Sequence, residues 1–507
     1  MATGGLGGAA RPTQRFLMMD LLVVGGGING AGIARDAAGR GLSVVLVEQH
    51  DLAAHTSSAS TKLIHGGLRY LEQYEFRLVR EALRERERLL AIAPHIIWPL
   101  RFVLPMGRGM RPAWLLRLGL FLYDHIGGRR SLPGTEVVRF DGRGLGAGLA
   151  PEVRRGFAYS DCWVEDSRLV VLNAVDAAAR GARVLTRTRL VSARAEEGVW
   201  VAELEDAAGG RSEVRARAVV NAAGPWVSAV IGGTLGVNSS RRTRLVKGSH
   251  IVVGRLYEGE HAYIFQNRDR RVVFAIPYEG RFTLIGTTDS PYADDPAAVS
   301  CSAEDEAYLC ESVDRWFARS VSPADIVRRY AGVRALFDDG AKDASEVTRD
   351  YVLDLETPAG GGRLLSVFGG KITTYRKLAE HALEKLGVGG RSWTGDAPLP
   401  GGDMAGGFDA YLQAFSARHG FLPAALARRL VRAYGSRADE VADGARRIED
   451  LGEDFGGGLT EAEVRYLVRV EFARSAEDIL WRRSKLGLHA PAGIAERVDG
   501  FLHAMAD

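Results

Sequence analysis

Leu21-Leu22-Val23-Val24 runs directly into glycines at 25, 27 and 30, spaced G-x-G-x-x-G, and the residues from Ala31 to Asp36 can wind straight into a helix. A strand, a tight turn and a helix start are the arrangement this dictates. A pyrophosphate can rest against a helix N-terminus only where no Cβ intervenes, and there the backbone N–H groups and the helix dipole favour an anion. A second strand, Ser43 to Val47, ends at Glu48, whose carboxylate can accept hydrogen bonds from an adenosine ribose. Glycine also serves any loop that needs close backbone approach, but that reading gives Glu48 no role. At this point NAD and FAD fit equally.

The chain has 507 residues, enough for two or three domains, and its net charge of +3 with no polybasic tail argues against nucleic-acid binding. Cys162, Cys301 and Cys310 are scattered, so neither a disulfide framework nor a metal site is expected, and a reducing compartment is. Residues 1–18, rich in Gly and Ala and lacking the apolar core of a secretory signal, are expected to form a disordered extension.

Thr56 to Tyr70 gathers hydroxyls, Lys62, His65, paired glycines and Arg69, a composition suited to a polar cofactor lining, though a capped helix with a loop accounts for it as well. Leu71 to Leu90 has helical apolar spacing. Between 98 and 130, large apolar and aromatic residues such as Trp98, Trp114 and Phe121 alternate with Arg101, Arg108, Arg111, Arg117, Arg129 and Arg130. Such a stretch can lie in a bilayer interface, with guanidinium groups on lipid phosphates and rings among acyl chains. The alternative is a buried helix pair with arginines at its rim. No apolar run is long enough to span a bilayer.

A helix from Val164 to Arg180 and strands at 183–193, 198–204 and 212–221 follow, the last running into Ala222-Ala223-Gly224-Pro225. Residues 244–290 alternate like an antiparallel sheet, and helices are expected at 302–318 and 322–329. Leu364 to Phe368 then meets Gly369-Gly370-Lys371, a second strand, glycine turn and helix. Arg334, Arg349 and Lys371 together can form an anion clamp.

These residues carry a resemblance to the FAD-dependent, quinone-linked glycerol-3-phosphate dehydrogenases. Gly25 to Asp36 with Arg40-Gly41 matches one family signature, and Gly369 to Ala379 matches the other. Thr56 to Tyr70, Lys247-Gly248-Ser249-His250, Gly286-Thr287-Thr288-Asp289 and the Trp481-Arg482-Arg483 segment match as well, from about residue 19 to the end. The resemblance implies an α/β fold with an added helical domain. A Rossmann-like FAD-binding domain of the glutathione-reductase and D-amino-acid-oxidase type is interwoven with an antiparallel β substrate domain. A C-terminal all-α cap domain follows. The expected boundaries are 19–95, 150–240 and 330–390 for the FAD domain, 96–149 for the membrane-interface segment, 241–329 for the substrate domain and 391–507 for the cap.

The resemblance also implies non-covalent FAD held by Gly25, Gly27, Asn29, Gly30, Glu48, Thr56, Ser57, Ser58, Ser60, Lys62, Leu63, Ala223, Gly224, Gly370, Ile372 and Thr373. Oxidation of sn-glycerol 3-phosphate to dihydroxyacetone phosphate is expected, with reoxidation by ubiquinone or menaquinone. His65 and His250 are the candidate bases, and similarity to related oxidases favours His65. Arg334, Arg349 and Lys371 are expected to hold the phosphate, with Arg69 and Tyr70 lining the pocket. The enzyme is expected at the cytoplasmic face of the inner membrane through 98–130, peripherally and as a homodimer. An oxygen-using glycerol-3-phosphate oxidase that releases peroxide, and a non-catalytic flavin-binding module, are the alternatives.

Overall fold

The computed structural model describes residues 18–107, 112–128, 131–239, 241–267, 269, 271–338 and 350–506. The expected extension at 1–17, Arg349, and Arg108, Arg111, Arg129 and Arg130 lie outside them, as does the side chain of Arg69. Met18 already belongs to the first strand.

Two sheets organise the molecule. In the first, the strand Met18–Val24 lies between Val44–Glu48 and Arg211–Asn221, and Arg363–Phe368 follows on the far side, all parallel. The paired stretches Leu21 to Val24, Val44 to Val47 and Ala218 to Val220 are apolar because the sheet is covered on both faces. Register places Val24 beside Asn221 and Asn221 beside Ser366, so the turns that begin at Gly25, Ala222 and Gly369 leave the same edge together. Ligands of open α/β sheets bind at this carboxyl edge.

The second sheet has ten strands, mostly antiparallel, centred on Thr243–Gly254, which pairs with both Phe282–Gly286 and Ile326–Phe337. It also contains Ile97–Pro105 and Arg155–Val164, which pair along their whole length. The stretch expected at 96–149 as a membrane-interface segment contains the strand Ile97–Pro105, the helix Ala113–Ile126 and the strand Glu136–Arg139, both strands belonging to this sheet. The 322–329 stretch is not a helix. A short turn at Pro323–Asp325 gives way to the strand Ile326–Phe337, whose β-branched and aromatic residues pair with the central strand.

The helix Ala113–Ile126 buries Leu116, Leu120 and Tyr123, spaced as one face. Its other faces expose Trp114 (68%), Leu115 (41%), Leu118 (49%) and Phe121 (57%) to solvent. Among the described residues no helix is long and apolar enough to cross a membrane.

The C-terminal part packs the helices Gly407–Arg418, Ala424–Tyr434, Glu461–Glu471 and Ile494–Ala506 around a core including Phe415, Leu430, Leu467 and Val498. It is not purely helical, since Asp454–Gly456 and Leu459–Thr460 form a two-stranded hairpin. It is fastened to the rest by buried charge. Arg168 of the helix Asp166–Ala179 pairs with Glu471, and Arg483 and Arg482 both bind Asp51.

Candidate active site

The first glycine turn is tight enough that side chains are excluded. A Cβ at Gly25, which sits at φ +108°, lies 2.5 Å from the Ala222 carbonyl oxygen, and one at Gly30 lies 1.9 Å from that of Gly25. The helix Ile28–Gly39 therefore begins bare, and its first amides have no intrahelical carbonyl to bond. Ser57 Oγ accepts one of them, Ile28 N–H, at 3.0 Å, and keeps its own proton as a donor beside Gly27. Glu48 accepts N–H bonds from Gly26 at 2.7 Å and His50 at 2.8 Å, and burial raises its carboxyl pKa against those two bonds. A cleft of about 320 Å³ opens here, lined by Gly25, Gly27, Glu48, Thr56, Ala223 and Gly224.

Asn29 ties this turn to the second one, donating from Nδ2 to the Gly369 carbonyl at 3.0 Å across 340 residues. A Cβ at Gly370 (φ +104°) meets the same Asn29 amide at 2.7 Å. Beyond it Ile372 and Thr373 enter a 3₁₀ turn, and Thr373 Oγ1 accepts the His65 N–H at 3.3 Å. Asn29 Oδ1 is buried with no partner among the described residues.

The hydroxyl-rich loop braces itself. Thr56 Oγ1 donates to the Val333 carbonyl at 2.6 Å, Ser58 Oγ to that of His55 at 3.2 Å, and Ser60 Oγ to Asp166 at 2.8 Å. The buried ammonium of Lys62 binds Asp166 at 2.8 Å and the Ser58 carbonyl at 3.0 Å. Its own N–H goes to Ser60 Oγ at 2.9 Å, and Leu63 is a buried strand residue paired with Trp163.

His65 and His250 stand in different surroundings. His65 Nδ1 accepts the Gly67 N–H at 3.2 Å, and burial lowers its pKa, with Asp161 opposing and Lys371 reinforcing that shift. The turn is supported from beneath, where Tyr123 Oη accepts the Gly66 N–H at 2.7 Å and donates to Asp161, itself paired with Arg86 at 2.8 Å. His250 stacks on Tyr330 with ring centres 4.8 Å apart, and its Nε2 bonds Thr61 Oγ1 at 2.9 Å. Burial, then Lys62 and Arg334, push its pKa down to about 3, and Nδ1 has no partner among the described residues.

Of the anion clamp, two members are described. Arg334 stands by His250 and is paired with Asp289 at 2.9 Å, while Lys371 stands by His65 with its ammonium 4.0 Å from the Tyr70 ring centre. Thr61, Tyr123, Asp161 and Tyr330 were not marked as site residues by sequence reasoning. Only their long-range pairings reveal them, and no local pattern carries that information.

Residues 20–376 match the FAD dependent oxidoreductase family, and residues 392–507 match the C-terminal domain of alpha-glycerophosphate oxidase. The chain is 56% identical to the glycerol-3-phosphate dehydrogenase of Pseudomonas aeruginosa, over 96% of this chain and 95% of that one. It belongs to the FAD-dependent glycerol-3-phosphate dehydrogenases. The D-erythritol 1-phosphate dehydrogenase of Brucella abortus is 54% identical over 93% of this chain and 95% of its own. The solved glycerol-3-phosphate dehydrogenase from Bacillus halodurans, complexed with FAD, superimposes with a TM-score of 0.71 at 28% identity, covering 96% and 94% of the two chains. The bare helix start, the spare oxygen capacity of Glu48 and the free donor of Ser57 fit FAD, the cofactor of this family.

Proposed function

We propose that the chain oxidises the C2 hydroxyl of sn-glycerol 3-phosphate to dihydroxyacetone phosphate and passes the electrons to a membrane quinone. The observation that carries this reading is the joining of both glycine turns through Asn29, beside two buried histidines each accompanied by a cation. Bound FAD supplies the two-electron acceptor for the C2 hydride. Gly25, Gly27, Gly30, Ser57, Glu48, Ala223 and Gly224 hold its dinucleotide end, and Gly370, Ile372 and Thr373 lie toward the reacting end.

Arg334 and Lys371 hold the substrate phosphate, with Tyr70 beside the Lys371 ammonium. The substrate anion competes with Asp289 for Arg334, which tunes affinity rather than abolishing it. Charge selects the base. A proton arriving on His250 meets only cations, Lys62 and Arg334, whereas one arriving on His65 meets the Asp161 carboxylate as well as the Lys371 ammonium. For His65 to act, the proton must sit on Nδ1 beforehand, which gives up the Gly67 bond at a cost of about 1 kcal/mol. The Asp161 carboxylate, which His250 lacks, favours His65 as the base and His250 as a positioning partner.

The exposed Trp114, Leu115, Leu118 and Phe121 seat the helix Ala113–Ile126 in a lipid interface on the cytoplasmic side, where quinone is available. Anaerobic addition of sn-glycerol 3-phosphate bleaches the flavin band, and a quinone analogue restores it faster than oxygen does. Failure to bleach overturns the reading, and stoichiometric peroxide points to the oxidase. The Brucella relative favours a second reading, D-erythritol 1-phosphate as substrate, decided by comparing kcat/KM for the two phosphates.

A further inference from the structure

A second cavity, of about 310 Å³, lies where three parts of the chain meet. Ser58 comes from the hydroxyl-rich loop, Arg328 from the strand Ile326–Phe337, and Trp481, Arg482 and Lys485 from the C-terminal domain. Its charges do not balance. Lys62 is neutralised by Asp166 at 2.8 Å, and Arg482 by Asp51 and Asp478, both at 2.6 Å. The lining carboxylate, Glu477, reaches Arg482 at 3.3 Å. Arg328 has no carboxylate in ion-pair range among the described residues, and its guanidinium lies 3.1 Å from the centre of the Trp481 ring. Lys485 likewise has none: its buried ammonium donates to Ser167 Oγ at 3.1 Å and the Trp481 carbonyl at 2.5 Å. Burial, aided by the Lys62 charge, lowers Lys485 to about 8.

Buried cations are ordinarily paired, because desolvation of an isolated charge is costly. Here two cations line one cavity; Glu477 acts on Arg328, and Asp166, Glu165 and Glu279 on Lys485, but among the described residues no carboxylate reaches ion-pair distance of either. We propose that the cavity is a binding site for a small oxyanion of the phosphate class, held between Arg328 and Lys485. The planar fork of Arg328, backed by Trp481, suits such an anion in two-point fashion. The site is separate from the substrate clamp. Arg328 and Arg334 are six residues apart on one strand, about 20 Å at a rise of about 3.3 Å per residue. Tyr330 stands between them with its hydroxyl on the Ser60 carbonyl at 3.0 Å. An anion here joins the C-terminal domain to the strand and loop that frame the cofactor, so its binding stabilises the holoenzyme.

Calorimetric titration of the holoenzyme at constant ionic strength tests this, with inorganic phosphate in one arm and glycerol 2-phosphate in the other. The wild-type chain binds one more phosphate than Arg328→Gln, whose Michaelis constant for sn-glycerol 3-phosphate and melting temperature without phosphate match the wild type. Lys485→Met loses the same site. Tighter binding of the ester identifies phosphate esters as the occupants, and tighter binding of the free ion identifies phosphate itself. Equal phosphate stoichiometry in wild type and both variants overturns the proposal, whatever the activity of the enzyme proves to be.

Discussion

Arg334 is positioned by its strand neighbours, with Val333 anchored to Thr56 Oγ1 at 2.6 Å and its own guanidinium steered by Asp289. Replacing it with alanine removes a charge-assisted bond to the substrate phosphate without touching the hydride path. Arg334→Ala accordingly raises KM by on the order of tenfold or more with a smaller change in kcat, read from initial rates across substrate concentration. An unchanged KM removes Arg334 from the clamp. At His65 the effect falls on kcat. Loss of a general base costs about 10²- to 10⁴-fold, so His65→Asn falls in that range while His250→Asn, lacking the carboxylate beneath it, falls less. Burial holds the His65 pKa below its ordinary value, so wild-type kcat/KM loses its base only at a pH below 6.5. Tyr123→Phe, which removes the donor to Asp161, alters that acid limb in a pH–rate profile.

The glycine turns and the helix Ala113–Ile126 act as elements. Trp114, Leu118 and Phe121 recur at helical spacing on faces away from Leu116, Leu120 and Tyr123, so two apolar stripes share one helix. Only one can be core. Replacing Trp114, Leu118 and Phe121 with serine removes on the order of 5 kcal/mol or more of interfacial burial, releasing the protein from anionic vesicles in a flotation assay. Turnover with a soluble acceptor is unaffected; retention on vesicles refutes the interfacial role. Both glycine turns were legible in the sequence because the turn conformation is a local demand that few other residues meet at Gly25 or Gly370. The strand Ile97–Pro105 was not. It is a strand because it pairs with Arg155–Val164, some fifty residues later, and Arg101 amid its large apolar residues mimics an amphipathic surface segment. The pairing of Lys62 with Asp166, 104 residues away, was equally illegible. Sequence pattern reports local propensity, and tertiary pairing overrides it.

At the scale of the whole molecule, buried charges at the seam hold the C-terminal domain in place. Arg168 and Glu471 are both buried, bonded in two-point fashion, with Arg168 also donating to the Ala433 carbonyl at 2.7 Å. Glu471→Ala leaves Arg168 buried and unpaired, at a cost of about 3–5 kcal/mol. Chemical denaturation then shows a lower midpoint or a separate transition for the C-terminal domain. His95 lies at the same seam, fully buried, and burial pushes its pKa down to about 3, as for His250. Unfolded histidine titrates near 6.5, so below that pH the unfolded chain takes up protons the folded chain refuses. Stability therefore falls as pH drops from about 6.5 toward 3, by about 1.4 kcal/mol per unit for each such histidine. Thermal melting across this window checks the slope, and His95→Gln flattens it.

The bond from Asn29 to Gly369 also sets a schedule. The first turn leaves the ribosome 340 residues before its partner. At roughly 5–20 residues per second, the nascent chain waits about 20–70 seconds with half of its nucleotide cradle made. During that interval the parallel strand Met18–Val24 lacks Arg211–Asn221 for most of the wait, and the outer strand Arg363–Phe368 for all of it. Flavin can be captured firmly only near the end of synthesis.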